Sequence, residues 1–263
     1  MTCREMDDLL VTLASGAPLP PEAARHVAEC PRCRRLLDAM RGMAQPAPPS
    51  SAQLGPIKSA ILADLKPVRP MAPAVAFFAA LMFIFFAAAA AGVVELGHAG
   101  WLALDALQRV AIFSALVAGA ALLTVSLSRQ MVPGRRLMVP PAVLVTAVFL
   151  VVISLVAMLF HPHPESTFMA TGLVCLRIGL ECAFPAGLLF WLVLRRGAIL
   201  NPLLTAATAG ALAGLSGLTL LEIFCPNPNV WHILVWHLGA VLVSALGGGA
   251  IGWAVEHYGR RQE

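Results

Sequence analysis

Charge is what this sequence has least of: Asp, Glu, Lys and Arg make up 12% of its 263 residues, against 59% that are hydrophobic. A chain so poor in charge cannot clothe a single water-soluble globule, and that class is excluded. The scarcity is uneven as well. Residues 1–70 hold 9 basic and 7 acidic side chains, and the remaining 193 residues hold only 9 and 7. A small polar head therefore precedes a long apolar body. The formal net charge of +4 is scattered in small groups, without the basic stripe that nucleic-acid binding needs, so direct DNA contact is not expected. The opening Met1–Asp8 is acidic where a signal peptide would be basic and then apolar, so no cleaved export signal is expected. Common catalytic signatures are missing too: there is no H-E-x2-H, no G-x-S-x-G, no phosphate loop and no carboxylate pair within an apolar run.

What is there in quantity is uncharged sequence long enough to cross a hydrocarbon layer of about 30 Å at about 1.5 Å per helical residue. Such runs cover Met71–Val94, Val110–Leu127, Leu137–Phe160, Asn201–Phe224 (with Glu222 near its end) and Ile233–Val255. A sixth, Phe168–Leu194, is interrupted only by Arg177 and Glu181, and Arg177 and Arg195 stand about 27 Å apart along a helix, one at each interface. Pro, Ser and Ala dominate Ala44–Pro56, which reads as a linker. The expected fold is all-α: a small helical head (1–43), a linker (44–56), a juxtamembrane amphipathic helix (57–70), a six-helix transmembrane bundle (71–258) and a short tail (259–263). Gly210 and Gly214, and Gly248 and Gly252, are spaced to pack the fifth and sixth spans face to face.

Positive charge sets the expected orientation. Arg129, Arg135 and Arg136, then Arg195 and Arg196, then Arg260 and Arg261 fall on the side of the head. Both termini are thus expected in the cytoplasm of a cell whose inner membrane holds the body. Segments near His98–Gln108, His161–Leu176 and Cys225–His232 then face outward.

In the head, His26, Cys30 and Cys33 form H-x3-C-x2-C, with Cys3 near the start. His26 and Cys30, four apart, share a helix face, and a C-x2-C turn converges two thiolates on one ion. Cys3 completes four ligands if the first helix folds back. A reducing cytoplasm argues against disulfides, and Zn2+ is the expected ion; the alternative is that the cysteines are small apolar side chains. Four protein ligands leave no open position, which makes the ion structural. The head is expected to be three helices: Met6–Ala14, one from Pro20–Pro21, and one from Pro31 that sends Leu36, Leu37 and Met40 to the core.

These residues resemble the zinc-binding anti-sigma domain, whose partners are extracytoplasmic-function sigma factors; the likeness covers about residues 1–42. Asp64-Leu-Lys-Pro-Val-Arg-Pro70, Cys175-Leu-Arg-Ile178, Cys225-Pro226 and Trp236-His237 are similar to the NrsF family, negative regulators of sigma factor F, over roughly residues 57–258. The resemblance implies a six-span inner-membrane anti-sigma factor with a cytoplasmic sigma-binding N-terminus. Ile57, Ile61 and Leu65, at i, i+4 and i+8, are candidates for the helix face that grips the sigma factor; the same helix can instead lie on lipid headgroups.

On the outward side, Cys175 and Cys225 fall at one level, with Cys182 deeper on the face of Cys175. In an oxidising compartment they can form a disulfide, bind a soft metal or react with an oxidant, or they can simply be buried apolar side chains. Arg177 can pair with Glu181, with Glu222 competing for it. His232 and His237 can join Cys225 around a metal or serve as interfacial anchors. The function expected is sequestration of a sigma factor and its release on an envelope, redox or metal stress. A six-span transporter or membrane enzyme, using Glu222, Cys225, His232 and His237 as a polar site, is the alternative.

Overall fold

The computed structural model describes residues 2, 3, 5–7, 9, 19–42, 51–64, 72–132 and 139–259. Among them there is no β-strand, and the chain divides into two compact units, Met1–Arg69 and Pro70–Glu263.

The first unit opens earlier than Met6. The Thr2 and Glu5 side chains cap each other's backbone: the Glu5 N–H donates to Thr2 Oγ1 at 3.3 Å and the Thr2 N–H to the Glu5 carboxylate at 2.7 Å. This reciprocal T-x-x-E box satisfies two otherwise free donors and starts a helical turn at Cys3. The same backbone bond holds the Glu5 carboxyl below its usual range. The end foreseen for this helix, around Ala14, lies outside the described residues. Helices α1 (Pro21–Glu29) and α2 (Pro31–Gly42) follow, each with proline in its first turn, where the missing N–H costs nothing. Met6, Ala23, Cys33 and Leu37 form the buried core, with Val27 and Met40 packed against it. Leu36, expected inside, is exposed, because the core side of α2 carries only the i, i+4, i+7 series Cys33, Leu37 and Met40. Among the described residues of this unit only these four side chains are buried hydrophobics. Helix α3 (Ser51–Asp64) begins inside the stretch read as linker and passes through Pro56. All its described side chains, Leu54, Ile57, Ile61 and Leu62 among them, are exposed. Leu65 lies outside the described residues.

The second unit is a bundle of six helices, each long and apolar enough to cross a membrane. They are α4 (Ala74–Leu96), α6 (Ala106–Gln130), α7 (Pro141–Leu159), α8 (Phe168–Leu194), α9 (Pro202–Phe224) and α10 (residues 230–259); a short α5 (Ala99–Ala103) joins α4 to α6. Local signals set the ends. Gly97, at φ +89°, ends α4 in a conformation other residues rarely adopt. Asp105 and Gln108 form a second capping box at the start of α6, and the Gln108 amide also donates to the Leu159 carbonyl at 3.0 Å, tying α6 to the end of α7. The last span starts at Val230 rather than Ile233: α10 is α-helical over Val230–His232, π-helical over Ile233–His237 and α-helical again over Leu238–Gly259.

Helix α9 is the axis of the bundle, with every residue from Ala211 to Glu222 buried. Its small side chains let neighbours approach to backbone contact, which substitutes for the hydrophobic drive that lipid cannot supply. A side chain on Gly210 would meet the Ser244 carbonyl, and one on Gly248 would meet the Ala206 carbonyl, so α9 and α10 touch main chain to main chain. Gly247 faces open space. Gly210→Val and Gly248→Val are each expected to cost about 1–3 kcal/mol or more by forcing these helices apart, read as a lowered Tm of the detergent-solubilised chain. Gly247→Val should leave Tm nearly unchanged.

Candidate functional site

Two groups of cysteine and histidine are drawn together, one in each unit. In the first, the capping box at Thr2 fixes Cys3 at the start of its helix, α1 presents His26, the α1–α2 junction presents Cys30 and the first turn of α2 presents Cys33. One ligand atom from each of the four lies within 4.8 Å of the others. Cys3 Sγ stands 3.7 Å from Cys30 Sγ and 3.7 Å from His26 Nε2, and Cys33 Sγ stands 3.4 Å from the same nitrogen. A tetrahedral ion with metal–sulfur bonds of about 2.3 Å and metal–nitrogen bonds of about 2.0–2.1 Å has S···S edges of about 3.8 Å and S···N edges of about 3.6 Å. The donor set fits such an ion. Around it, the Cys33 backbone N–H holds the Cys30 thiol below its usual range, and burial pushes the Cys33 thiol up to about 11. Asp7 and Arg32 pair at 3.1 Å on the exposed rim, closing the first helix onto α2.

The second group is Cys175 on α8, Cys225 just past α9, and His232 and His237 on α10, again within 4.8 Å of one another. Cys175 Sγ is 3.5 Å from Cys225 Sγ, and Cys225 Sγ is 3.7 Å from His232 Nε2. Neither histidine is the interfacial anchor its sequence position suggested: His232 is 0% and His237 1% exposed. Five residues apart on an α-helix, they would point about 140° away from each other. The π-turn, in which the Leu238 N–H reaches back to the Ile233 carbonyl, brings their rings to 5.2 Å between centroids. A single π-turn in a long helix is a frequent companion of functional sites.

Glu222 does not compete for Arg177. It is 4% exposed, and its Oε1 lies 2.9 Å from His237 Nδ1. Arg177 pairs with Glu181 at 2.7 Å on the exposed side of α8. Cys182 lies apart from the group, its thiol directed to the Ala88 carbonyl of α4 at 3.6 Å.

Glu165 was not foreseen as a site residue, since nothing in the spacing links it to partners some sixty positions away. Its carboxylate accepts from Thr171 Oγ1 (2.8 Å), Asn227 Nδ2 (2.8 Å) and Asn229 Nδ2 (3.3 Å), and lies 3.5 Å from His232 Nδ1. Asn229 also donates to the His163 carbonyl at 2.9 Å. Glu165 thereby stitches the loop before α8 to the loop that carries Cys225. Burial raises its pKa, but the hydrogen bonds from Thr171 and Asn227 outweigh that and hold the carboxyl below its usual range. A depressed carboxyl stabilises the fold above its unfolded pKa and loses that contribution as the pH falls through the folded value. Glu165→Ala should therefore cost about 1–3 kcal/mol at neutral pH by removing the acceptor shared by the half-buried Asn227 and the buried Asn229 amides. Thermal unfolding should show the gap from the unsubstituted chain closing as the pH drops below the ordinary carboxylate range.

No curated protein and no solved structure matches this chain. A family model does: NrsF, negative regulator of sigma F, over residues 61–257. The matched stretch begins within α3, runs through all six long helices and contains the second cysteine–histidine group whole, while the first group lies ahead of it. With about three quarters of its length so matched, the chain belongs to the NrsF family of negative regulators of sigma F.

Proposed function

We propose that this protein is a membrane-embedded anti-sigma factor that holds an extracytoplasmic-function sigma factor at the cytoplasmic face of the inner membrane and lets it go on an envelope, redox or metal stress. The observation that carries the reading is the family match across the six apolar helices. Sequestration asks for a binding surface and a tether, and no chemical step. A groove between α6, α7, α9 and α10, of about 170 Å³, is lined by side chains such as Leu123, Phe149, Leu215 and Val241 and by no titratable group.

The head supplies the rest of the proposal. Cys3, His26, Cys30 and Cys33 hold Zn2+, and the ion staples a small domain whose described core is Met6, Ala23, Cys33 and Leu37. Ile57 and Ile61, exposed together with Leu54 and Leu62 on α3, offer the apolar surface that a sigma factor would cover. Both termini lie in the cytoplasm, as the arginines of the short loops favour. Cys175 and Cys225 are where the outside signal is received.

The test is capture by the compact segment of residues 1–69, loaded with zinc. It should retain an extracytoplasmic-function sigma factor, and Ile57→Asp with Ile61→Asp should weaken retention by at least about tenfold, the effect of losing about 1.4 kcal/mol at buried anchors. Cys30→Ser with Cys33→Ser should abolish both zinc retention and the folded head. No capture by a folded, zinc-loaded segment would overturn the reading.

A further inference from the structure

The geometry points to a second metal site, formed by Cys175, Cys225, His232 and His237 and suited to a divalent d10 cation of the zinc and cadmium class. It deepens the signalling half of the function proposed above and rests on that reading only for its consequence, because metal uptake is measured without a sigma factor.

Four observations carry it. The S···S separation of 3.5 Å and the S···N separation of 3.7 Å are close to the edges of a tetrahedron around such an ion, and all four ligand atoms fall within 4.8 Å of each other. His237 Nε2 is buried and has no hydrogen-bond partner, while its Nδ1 is fixed 2.9 Å from Glu222. With Nδ1 donating its proton to that carboxylate, the free nitrogen is a lone pair enclosed in protein, a costly arrangement unless something accepts it. His232 repeats the pattern: its Nε2 faces Cys225, and its Nδ1, without a well-formed hydrogen bond, lies 3.5 Å from Glu165. A carboxylate behind each imidazole is how metal-binding histidines are oriented and made more basic. The third observation is the π-turn, which brings His232 and His237 side by side although an α-helix would splay them. The fourth is cover: a side chain on Gly100 of α5 would strike the Cys225 backbone, so α5 roofs the group closely, and only Cys225 among the four ligands is more than marginally exposed.

The charges agree. Two thiols that each release a proton and one divalent cation make a core of zero net charge, the form least penalised where water is scarce. Paired thiolates and imidazoles favour soft and borderline ions over magnesium or calcium. Four protein ligands leave no place for substrate, so the ion joins α8, the α9–α10 connection and α10 rather than performing hydrolysis. Binding or loss of metal is then a direct way for the outside medium to alter how those helices are held.

The experiment uses the full chain, reduced and solubilised in detergent, with Cys30→Ser and Cys33→Ser to silence the head. Titration with Co2+ should give one ion per chain with a thiolate-to-cobalt charge-transfer band and the visible spectrum of a tetrahedral site, displaced by Zn2+ and by Cd2+. Cys175→Ser with Cys225→Ser should remove the signal, and Glu222→Gln should weaken binding by about 10- to 100-fold. In native membranes, Cd2+ should slow alkylation of Cys225 in the otherwise unaltered chain by about tenfold or more. Absence of stoichiometric uptake, uptake indifferent to the two cysteines, unprotected alkylation, or a Cys175–Cys225 disulfide in protein prepared without oxygen would each overturn the site. Such a failure would leave capture of the sigma factor by residues 1–69 untouched, and failure of capture would leave this titration unaffected.

Discussion

A polar group inside a bundle of helices apolar enough to cross a membrane has little water to fall back on, and the structure of the second unit follows from how that constraint is met. Most backbone groups pair within the six long helices. Ser128, Thr208 and Thr219 return their hydroxyls to carbonyls four residues back, and Thr205 donates to Gln130, which in turn donates to Ser126. The carboxylates that enter the interior are few, and they converge: Glu222 is matched with His237, and Glu165 gathers Thr171, Asn227 and Asn229 at the same end. Glu165, Glu222, His232 and His237 thus meet in one place, and that place also contains two thiols.

The two cysteine–histidine groups use the same kinds of ligand but are assembled in different ways. In the head, three of the four ligands come from eight consecutive residues, so one helix turn and one C-x2-C turn bring them together. In the body, Cys175 and Cys225 are fifty residues apart and meet only because α8 and α10 pack on α9. A locally built group forms wherever its short segment folds. A group built across helices exists only while the bundle is packed, and any ion or bond formed there acts back on that packing. This difference suits the first group to holding a small domain together and the second to reporting on the state of the membrane unit.

The same distinction explains what could be read in the sequence. The six long helices were legible because crossing a bilayer demands length and apolarity, which survive in composition even where Arg177 and Glu181 interrupt the run. The clustering of His26, Cys30 and Cys33 was legible because their short spacing brings them together locally. The shared face of His232 and His237 was not, since a spacing of five argues against it until a π-turn is inserted. Glu165 was invisible for want of any local pattern. The early start of α3 at Ser51 was hidden by a composition of Pro, Ser and Gly that usually opposes helix. One missed feature did carry a signal: Thr2-x-x-Glu5 is a capping box, and it placed the start of the first helix at Cys3.

The account requires the head and the far thiols to meet different compartments, one holding a sigma factor and the other the outside medium. Labelling with a membrane-impermeant maleimide tests this directly, using full-length chains in which either Cys30 or a cysteine introduced by Ser166→Cys, in the exposed loop before α8, is the sole reactive thiol. In intact cells the Ser166→Cys chain should label and the Cys30 chain should label only after the membrane is permeabilised. Labelling of Cys30 in intact cells, or of both positions from the same side, would contradict it.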